Sequence, residues 1–378
     1  MRVDAFDYEL PPERIAQRPA EDRESARLLD LTGAELAHRS IAELSERIPA
    51  GALVVFNDTR VIRARLIGRK AETGGRVEIF LVKRLGTRTI ELSPHLPPRE
   101  VEVWRALGKA SKPLKFGSDV GFGVDTEIAP RLVARLLGRA DDDGLLEVGL
   151  YCPAGESTEA AIHACGHVPL PPYIKREDDA QDEDRYQTIF ARKDGAIAAP
   201  TAGLHITRAL LGRLVVRGCE IATVTLHVGL GTFQPVTVED LDAHPMHTES
   251  YAISKSTAAA IARARDRGTP VVAVGTTVVR ALESAALHGE GENGASGETR
   301  LLIQPGYRFR VVDMLLTNFH LPKSTLLALV CAFAGTSRVL EAYRAAVAES
   351  YRFFSYGDAM LLRRAEDASP PPKGSEGS

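Results

Sequence analysis

Hydrophobic and polar positions along the chain follow distinct patterns, and each pattern predicts a different kind of element. An apolar run at residues 51–56 (GALVVF) ends in a polar NDTR segment, which is typical of a buried strand followed by a loop. From about residue 61 to 150, short alternating runs are separated by Gly, Pro and charged turns. Strands at this spacing predict a small β-barrel or sandwich. A stretch near residues 129–137 interrupts them and has the pattern of a helix.

After residue 152 the pattern changes to alternating helices and strands. Helices are predicted at 157–164, 207–217, 256–267 and 276–286, and strands at 220–226 and 271–274. This alternation predicts an α/β domain that is layered or barrel-like. The larger α/β domain is therefore assigned to residues 1–60 and 151–365, and a small inserted all-β domain to residues 61–150.

Three stretches are so polar that we expect them not to pack into a core. Residues 175–185 (KREDDAQDEDR) are dominated by charge, residues 288–298 are Gly-rich and polar, and residues 366–378 are rich in Pro, Ser and Gly. Such composition predicts mobility, and a disordered tail after residue 365.

Composition narrows the class of protein. A length of 378 residues favours two domains, and 44% hydrophobic with 26% charged residues is typical of a globular protein. No apolar run reaches the roughly 20 residues of a membrane helix, and the acidic, Pro-containing start does not resemble a signal peptide. We therefore expect a cytoplasmic protein without a membrane partner. The four cysteines form no CxxC pair, and a net charge of −3 argues against a protein that simply coats nucleic acid.

Three short segments combine a histidine with hydroxyl residues, Gly and Pro. They are residues 199–205 (APTAGLH), 225–233 (TLHVGLGTF) and 317–325 (TNFHLPKST). Gly lets the backbone approach a ligand and Pro fixes turns, so the three segments predict one pocket assembled from distant loops. His205, His227 and His320 are candidates for proton transfer, hydrogen bonding or stacking on a base. Taken singly, each is more often a buried histidine that braces a turn.

Other motifs leave alternatives open. His163, Cys165 and His167 have spacings that would suit zinc, but Gly166 should end the helix between them, so no metal site is predicted. Residues 271–283 (VVAVGTTVVRALE) predict a strand, a turn and a helix whose first turn, with Arg280, would hold a carboxylate or phosphate; a plain βα unit is the alternative.

Two further features could face RNA or simply be structural. Basic residues cluster at 60–70 and at 109–115, which suits either phosphate binding or an ordinary solvated strand face. The motif at 351–361 (YRFFSYGDAML) is either an aromatic pocket wall beside an acid or a core strand that ends in a turn.

In their order along the chain, these segments resemble one family. NDTR, GHVPLPPYI, DEDRYQTIFA, AAPTAGLH, TLHVGLGTFQPV, HPMHTESYAI, GTTVVRALE, IQPGYRF, LLTNFHLPKSTLL and YRFFSYGDAML are similar to the S-adenosylmethionine:tRNA ribosyltransferase-isomerases of queuosine biosynthesis. The resemblance extends from Tyr8 to Leu362. Small departures at Ile206 and Val279 concern substrate detail rather than reaction class.

The resemblance implies both a reaction and an architecture. The ribosyl part of S-adenosylmethionine would be transferred to 7-aminomethyl-7-deazaguanine in the anticodon loop of tRNA and isomerised, giving epoxyqueuosine-tRNA, adenine and methionine. S-adenosylmethionine would be consumed as a substrate, with no separate cofactor and no metal. The family also implies a monomer with a larger barrel-like α/β domain and a small inserted β-barrel.

The chemistry of such a reaction suggests which residues form the site. A base must remove a proton next to the sulfonium, and adenine must leave with protonation. The candidate catalytic residues are His205, His227, His320, Asp58, Glu249 and Asp358. The candidate substrate-binding residues are Asn57, Arg60, Tyr173, Thr201, Gly203, Gly229, Gly231, Thr232, Phe233, Tyr251, Gly275, Thr276, Thr277, Arg280, Asn318, Phe319, Ser324 and Tyr356. A methyltransferase and a non-catalytic RNA-binding module are the competing interpretations.

Overall fold

The computed structural model describes residues 1–123, 129–140, 144–229, 236–289 and 294–366. The strands of this part are β1 Arg27–Leu31, β2 Ala37–Ser40, β3 Leu53–Asn57, β4 Thr59–Val61, β5 Arg65–Lys70, β6 Arg76–Ile90, β7 Arg99–Ala110, β8 Asp119–Phe122, β9 Leu132–Arg139, β10 Leu146–Tyr151, β11 Gly166–His167, β12 Lys193–Ala196, β13 Glu220–Leu226, β14 Glu249–Ile253, β15 Val271–Val274, β16 Ala295–Thr299, β17 Met314–Asn318 and β18 Ala359–Arg363. The α-helices are α1 Leu44–Arg47, α2 Thr158–Cys165, α3 Ala180–Arg185, α4 Arg208–Val216, α5 Lys255–Arg267, α6 Thr276–Leu287, α7 Thr325–Ala334 and α8 Thr336–Ala348. Within these ranges no single helix is long and apolar enough to cross a bilayer, although α7 and α8 reach that length and composition together, across a bend of 117°.

The larger part of the chain is built on a nine-stranded mixed sheet. Its order is β16-β14-β13-β3-β15-β17-β18-β1-β2, and the four neighbours β13, β3, β15 and β17 are parallel. Every residue of β3, β15 and β17 is buried. This explains why these strands are continuous apolar runs in the sequence, since a parallel strand is covered on both faces.

Helices cover the two faces of this sheet. On one face Leu53 and Val55 of β3 belong to the core that contains α5, α6, α7 and α8. On the other face Val54 and Phe56 pack with apolar residues of α1 and α4. The predicted α/β layering is therefore present, but the barrel-like form is wrong for this sheet. No pairing joins the edge strands β16 and β2 in the described residues, so the sheet is open.

A closed six-stranded β-barrel forms the second body. Its strands follow the order β5-β6-β7-β10-β9-β8, pairing of β5 with β8 closes it, and β11 adds to β5. A small β-barrel was the prediction for this region. Its core also includes Ala161 and Ile162 of α2, while the domain limits at residues 61 and 150 stay a prediction.

The helix expected near residues 129–137 is a strand instead. β9 pairs with β8 on one side and with β10 on the other. Its Leu, Ala and Arg residues favour helix locally, but hydrogen bonding to two neighbouring strands in the barrel overrides that preference.

The charged segment at 175–185 packs, contrary to expectation. Asp179 caps α3 with a capping box, and the Asp182 side chain is buried. Arg176 forms two hydrogen bonds to the Asp182 carboxylate, and the Tyr356 hydroxyl donates a third at 2.6 Å. A fully paired buried charge is compatible with a core, which composition alone does not reveal. Of residues 288–298, residues 295–298 belong to β16. Residues 290–293 and the tail from 367 lie outside the described residues.

Candidate active site

The predicted segments meet at one edge of the nine-stranded sheet. Because β13, β3, β15 and β17 are parallel, their carboxyl ends lie side by side. Strand β14 is antiparallel to β13, and β18 is antiparallel to β17, so both begin at the same edge. The residues brought together in this way are Asn57, Asp58, His227, Glu249, Gly275, Asn318, His320 and Asp358. Ligands of open α/β sheets bind at this edge, so the expected single site has a consistent geometry.

His205 reaches the edge from a separate segment. Residues Thr201–His205 form a 3-10 helix, and Nδ2 of Asn318 lies 3.3 Å from Nε2 of His205. Burial, together with the charges of Arg352 and Arg23, lowers the pKa of His205 to about 4. The imidazole is therefore neutral at physiological pH.

His227 is the histidine that faces the open side of the edge. Its Nδ1 lies 2.8 Å from the Thr59 hydroxyl, and burial lowers its pKa against the opposing charge of Asp58. Gly195 packs against the ring. A Cβ atom built at Gly195, whose φ is +137°, would lie 3.1 Å from Cε1 and Nδ1 of His227. Thr59 and Gly195 thus hold the ring in place, and sequence reasoning missed both residues.

His320 braces the turn that follows β17. Its Nε2 lies 2.9 Å from the Thr317 hydroxyl, and its backbone N–H donates to the Tyr343 hydroxyl at 3.0 Å. The Tyr8 hydroxyl donates to its carbonyl at 2.5 Å. Burial lowers the pKa of His320 to about 3. Its neighbour Phe319 is fully buried among aromatic rings of the core and not in an open pocket.

Each of the three predicted carboxylates is engaged. Asp58 accepts hydrogen bonds from the Thr225 hydroxyl at 2.7 Å and from Thr223 at 3.3 Å. Asp358 accepts backbone N–H groups of Arg27 at 2.9 Å and Arg352 at 2.8 Å, and burial raises its pKa. Asp358 therefore ties the start of β1 to the closing motif.

Glu249 forms a buried ion pair with Arg280. It also accepts the backbone N–H of Gly229 at 3.1 Å, and Arg280 Nε donates to the Leu301 carbonyl at 3.2 Å. The guanidinium expected to hold a ligand carboxylate thus already has a carboxylate partner. Its Nη2 is buried and has no hydrogen-bond partner in the described residues.

The Gly-Thr-Thr turn begins α6 as expected. Gly275 has a φ of 96° and no side chain to cap the helix, and Thr276 is buried. The Asn57 side chain donates to the Thr277 hydroxyl at 3.2 Å and to the Leu226 carbonyl at 2.9 Å. Asn57 therefore joins three segments of the edge.

The other predicted residues have mainly structural contacts. Tyr173 stacks on Phe354 and its hydroxyl lies 2.5 Å from that of Ser355. Ser324 caps α7, and Gly203 lies against Thr188. Thr201 begins the 3-10 helix, Tyr251 is buried in β14, and the Tyr356 hydroxyl contacts Asp182. Gly231, Thr232 and Phe233 lie outside the described residues.

The zinc interpretation considered for His163, Cys165 and His167 has no matching geometry. Helix α2 ends at Cys165, and Nδ1 of His167 lies 3.1 Å from the Asp178 carboxylate. Within the described ranges, no group of three or more His, Cys, Asp or Glu side chains is placed to hold a metal ion.

A cleft of about 1930 Å³ separates the sheet edge from the barrel. Of the predicted residues, Arg60, His227, Gly229 and Glu249 line it. Residues that were not predicted also line it, among them Arg84, Trp104, Arg105, Gln187 and Arg300. His205 borders a separate cavity of about 20 Å³ beside Tyr356 and Gly357. The structure therefore gathers the three histidine segments at one edge, and places His227 in the wall of the large cleft.

Comparison with known proteins gives a consistent family. The model of a family described as "Queuosine biosynthesis protein" matches residues 3–362. The S-adenosylmethionine:tRNA ribosyltransferase-isomerase of Sorangium cellulosum is 59% identical, over 96% of this chain and 99% of that protein. The protein of the same name from Anaeromyxobacter sp. strain Fw109-5 is 51% identical, over 97% and 100%. The crystal structure of S-adenosylmethionine tRNA ribosyltransferase from Thermotoga maritima is similar with a TM-score of 0.52 and 36% identity, over 95% of this chain and 99% of that one.

Proposed function

The chain belongs to the queuosine biosynthesis family of S-adenosylmethionine:tRNA ribosyltransferase-isomerases, and from this premise we propose the reaction that it catalyses. It transfers the ribosyl group of S-adenosylmethionine to 7-aminomethyl-7-deazaguanine in the anticodon loop of tRNA and isomerises it. The products are epoxyqueuosine-tRNA, adenine and methionine. S-adenosylmethionine is consumed, and no other cofactor takes part. The enzyme acts as a cytoplasmic monomer.

The observation that carries this proposal is the environment of His227. Its ring is hydrogen-bonded to Thr59, packs on Gly195 and lines a cleft of about 1930 Å³. Small-molecule pockets are commonly about 300–1000 Å³, so a cleft of this size suits a small donor together with part of a macromolecule. A neutral imidazole fixed in such a cleft is suited to accept the proton next to the sulfonium.

The other polar groups of the edge support that step in different ways. Glu249 also lines the cleft, so we propose that it contacts a substrate, with Arg280 holding its carboxylate in place. His320 and Asp358 are hydrogen-bonded within the fold, and act by positioning the segments after β17 and before β18. His205, beside Asn318, is the second neutral imidazole of the edge, and in that state it can accept a hydrogen bond or a proton but does not supply the proton that adenine needs to leave.

A product assay tests the reaction. The purified protein is incubated with S-adenosylmethionine and an anticodon stem-loop RNA that carries the deazaguanine base, and the products are separated by chromatography. Adenine and methionine in equal amounts are expected. S-adenosylhomocysteine would instead indicate a methyltransferase, and RNA binding without consumption of S-adenosylmethionine would indicate a binding module.

A pair of histidine variants tests the site. His227→Ala should lower adenine release at least a hundredfold, since general base catalysis contributes about 10²–10⁴-fold. His95→Ala is the matched control, because His95 is exposed on the barrel. Equal rates for the two folded variants would remove His227 from the mechanism.

A further inference from the structure

The sheet and the barrel are joined across the cleft by an ion pair. Lys83 Nζ on β6 lies 3.0 Å from Glu298 Oε1 on β16. Arg105 on β7 is the register partner of Lys83, and Arg300 follows Glu298 by two residues. Both arginines line the cleft. One arginine on each wall therefore flanks the same ion pair.

Arg105 and Arg300 have no acidic side-chain partner in the described residues. Arg23, another cation of the cleft without one, donates instead to three backbone carbonyls. Arg63 pairs with Glu183, and Arg84 pairs with Glu102 at 2.9 Å. Arg105 has no ion pair in the described residues, and its buried Nε has no hydrogen-bond partner there. Arg300 donates from Nε to the Thr248 hydroxyl at 2.5 Å, without a carboxylate partner in the same residues. The buried Nε of Arg105 without an acceptor is costly, and the exposed Arg300 has no carboxylate to balance its charge. Both guanidinium groups are therefore suited to an anion.

The surroundings favour an RNA backbone as that anion. The cleft is lined by as many acidic as basic side chains, so its overall field does not concentrate small anions. Binding must therefore come from local contacts to a ligand that is also held elsewhere, as a long RNA is. Val82 and the exposed Leu107 beside Arg105 add apolar surface for ribose or base. The planar guanidinium of arginine can form two parallel hydrogen bonds to one phosphate group.

We infer that Arg105 and Arg300 hold backbone phosphates of the RNA substrate, one from each wall of the cleft. The inference rests on the proposed function, because that function supplies the RNA. It assigns the barrel a direct share in RNA binding through β7. Both residues contact the backbone and not the bases, so they add affinity without adding sequence preference.

Fluorescence anisotropy with a labelled anticodon stem-loop RNA tests the pair. Arg105→Gln and Arg300→Gln should each weaken binding several-fold. Each should also reduce the slope of log K against log salt concentration by about 0.7–0.9, as expected for the loss of one phosphate contact. The double variant should lose about twice that slope. Arg139→Gln is the matched control, because Arg139 is an exposed arginine of the barrel, on β9, that does not line the cleft.

The outcomes separate this inference from the proposed function. Suppose that the wild-type protein releases adenine and methionine, and that both variants bind RNA with the wild-type affinity and salt slope. The inferred phosphate contacts of the two arginines are then wrong, and the proposed reaction stands. If wild-type protein binds RNA in a manner dependent on both arginines but releases no adenine, the proposed reaction fails and the phosphate contacts stand. Thermal unfolding of each variant shows whether lost affinity reflects lost folding. In kinetics, the KM for RNA should rise while the KM for S-adenosylmethionine stays at its wild-type value.

Discussion

The position of the His227 ring can be perturbed without altering the ring itself. Gly195 has a φ of +137°, and an added Cβ would lie 3.1 Å from two ring atoms and 3.4 Å from a third. Contacts near 3.1 Å are tighter than side chains normally tolerate, so Gly195→Ala should push the ring by a few tenths of an ångström. This push would displace Nδ1, the ring atom that is hydrogen-bonded to the Thr59 hydroxyl.

The size of the effect follows from two contributions. The backbone cost of a non-glycine residue in this conformation is about 1–3 kcal/mol and lowers stability. Stretching the 2.8 Å contact between Thr59 and His227 by a few tenths of an ångström weakens a hydrogen bond whose complete loss would cost about 1 kcal/mol. Because a displacement of about 1 Å at a reacting group can cost 10²-fold in rate, a few tenths should cost about 5–10-fold. We therefore expect Gly195→Ala to lower kcat for adenine release by about that factor.

Gly86→Ala provides a closely matched control. Gly86 has a φ of +126°, close to that of Gly195, and a Cβ at Gly86 would meet nothing within 4 Å. Both variants should lose similar stability in thermal unfolding, whereas Gly195→Ala alone should lose turnover. Initial rates of adenine release at saturating substrates, normalised to folded protein, provide the comparison. Equal kcat values for the two variants would refute the claim that the ring of His227 must be held in this position.

Three further perturbations have expected outcomes. Thr59→Val, which keeps the shape but removes the hydroxyl, should slow adenine release about tenfold, and Thr59→Ser should restore it; equal rates for Val and Ser would exclude the hydrogen bond as the cause. Glu283 is fully buried and accepts three backbone N–H groups, so Glu283→Gln should lower the free energy of unfolding by roughly 2–4 kcal/mol in urea titrations, while the exposed control Glu341→Gln should change nothing measurable. Burial lowers the pKa of His205 to about 4 and that of His320 to about 3. As pH falls below 6.5, protons therefore bind to these histidines in the unfolded chain before they bind in the folded one. The free energy of unfolding should fall between pH 6.5 and 4, by up to about 1.4 kcal/mol per pH unit for each histidine. His320→Gln should remove its share of that slope, and an unchanged slope would contradict the buried neutral state.

The sequence was sufficient to predict the elements that are dictated by local pattern. The apolar runs that became β3 and β15 have one physical explanation, burial on both faces, and their Gly and polar ends fix where the strands stop. Parallel strands then bring their carboxyl ends together, so loops far apart in sequence become neighbours. The hydrophobic pattern gave wrong predictions where the pairing of strands determines the structure. β9 is a strand because two barrel strands bond to it, and the shape of the nine-stranded sheet depends on strand order.

In the candidate site, too, some side chains could be predicted from the sequence and others could not. Histidines were prominent in the sequence because they stand among Gly and Pro, and three of them do meet one edge of the sheet. The residues that hold a histidine ring in place have no such signal. Thr59 is an ordinary residue of a short strand, and Gly195 precedes a plain apolar stretch. Their importance depends on contacts across more than 30 positions of sequence, as in the bond of Thr59 to His227.

Two asparagines connect the segments of that edge by hydrogen bonds. Asn57 lies at the end of β3, where its carbonyl oxygen accepts the backbone N–H of Leu226 at 3.1 Å and its amide donates to the carbonyl of the same residue at 2.9 Å. Asn318 lies at the end of β17, and its amide donates to the Phe354 carbonyl at 3.0 Å. A carboxylate would place like charges against these carbonyls, and a shorter side chain would not reach them. The amides therefore join adjacent segments at the two places where loops bearing histidines depart from the sheet. In the mechanism that we propose, His227 supplies acid–base chemistry, and the two asparagines fix the segments around it.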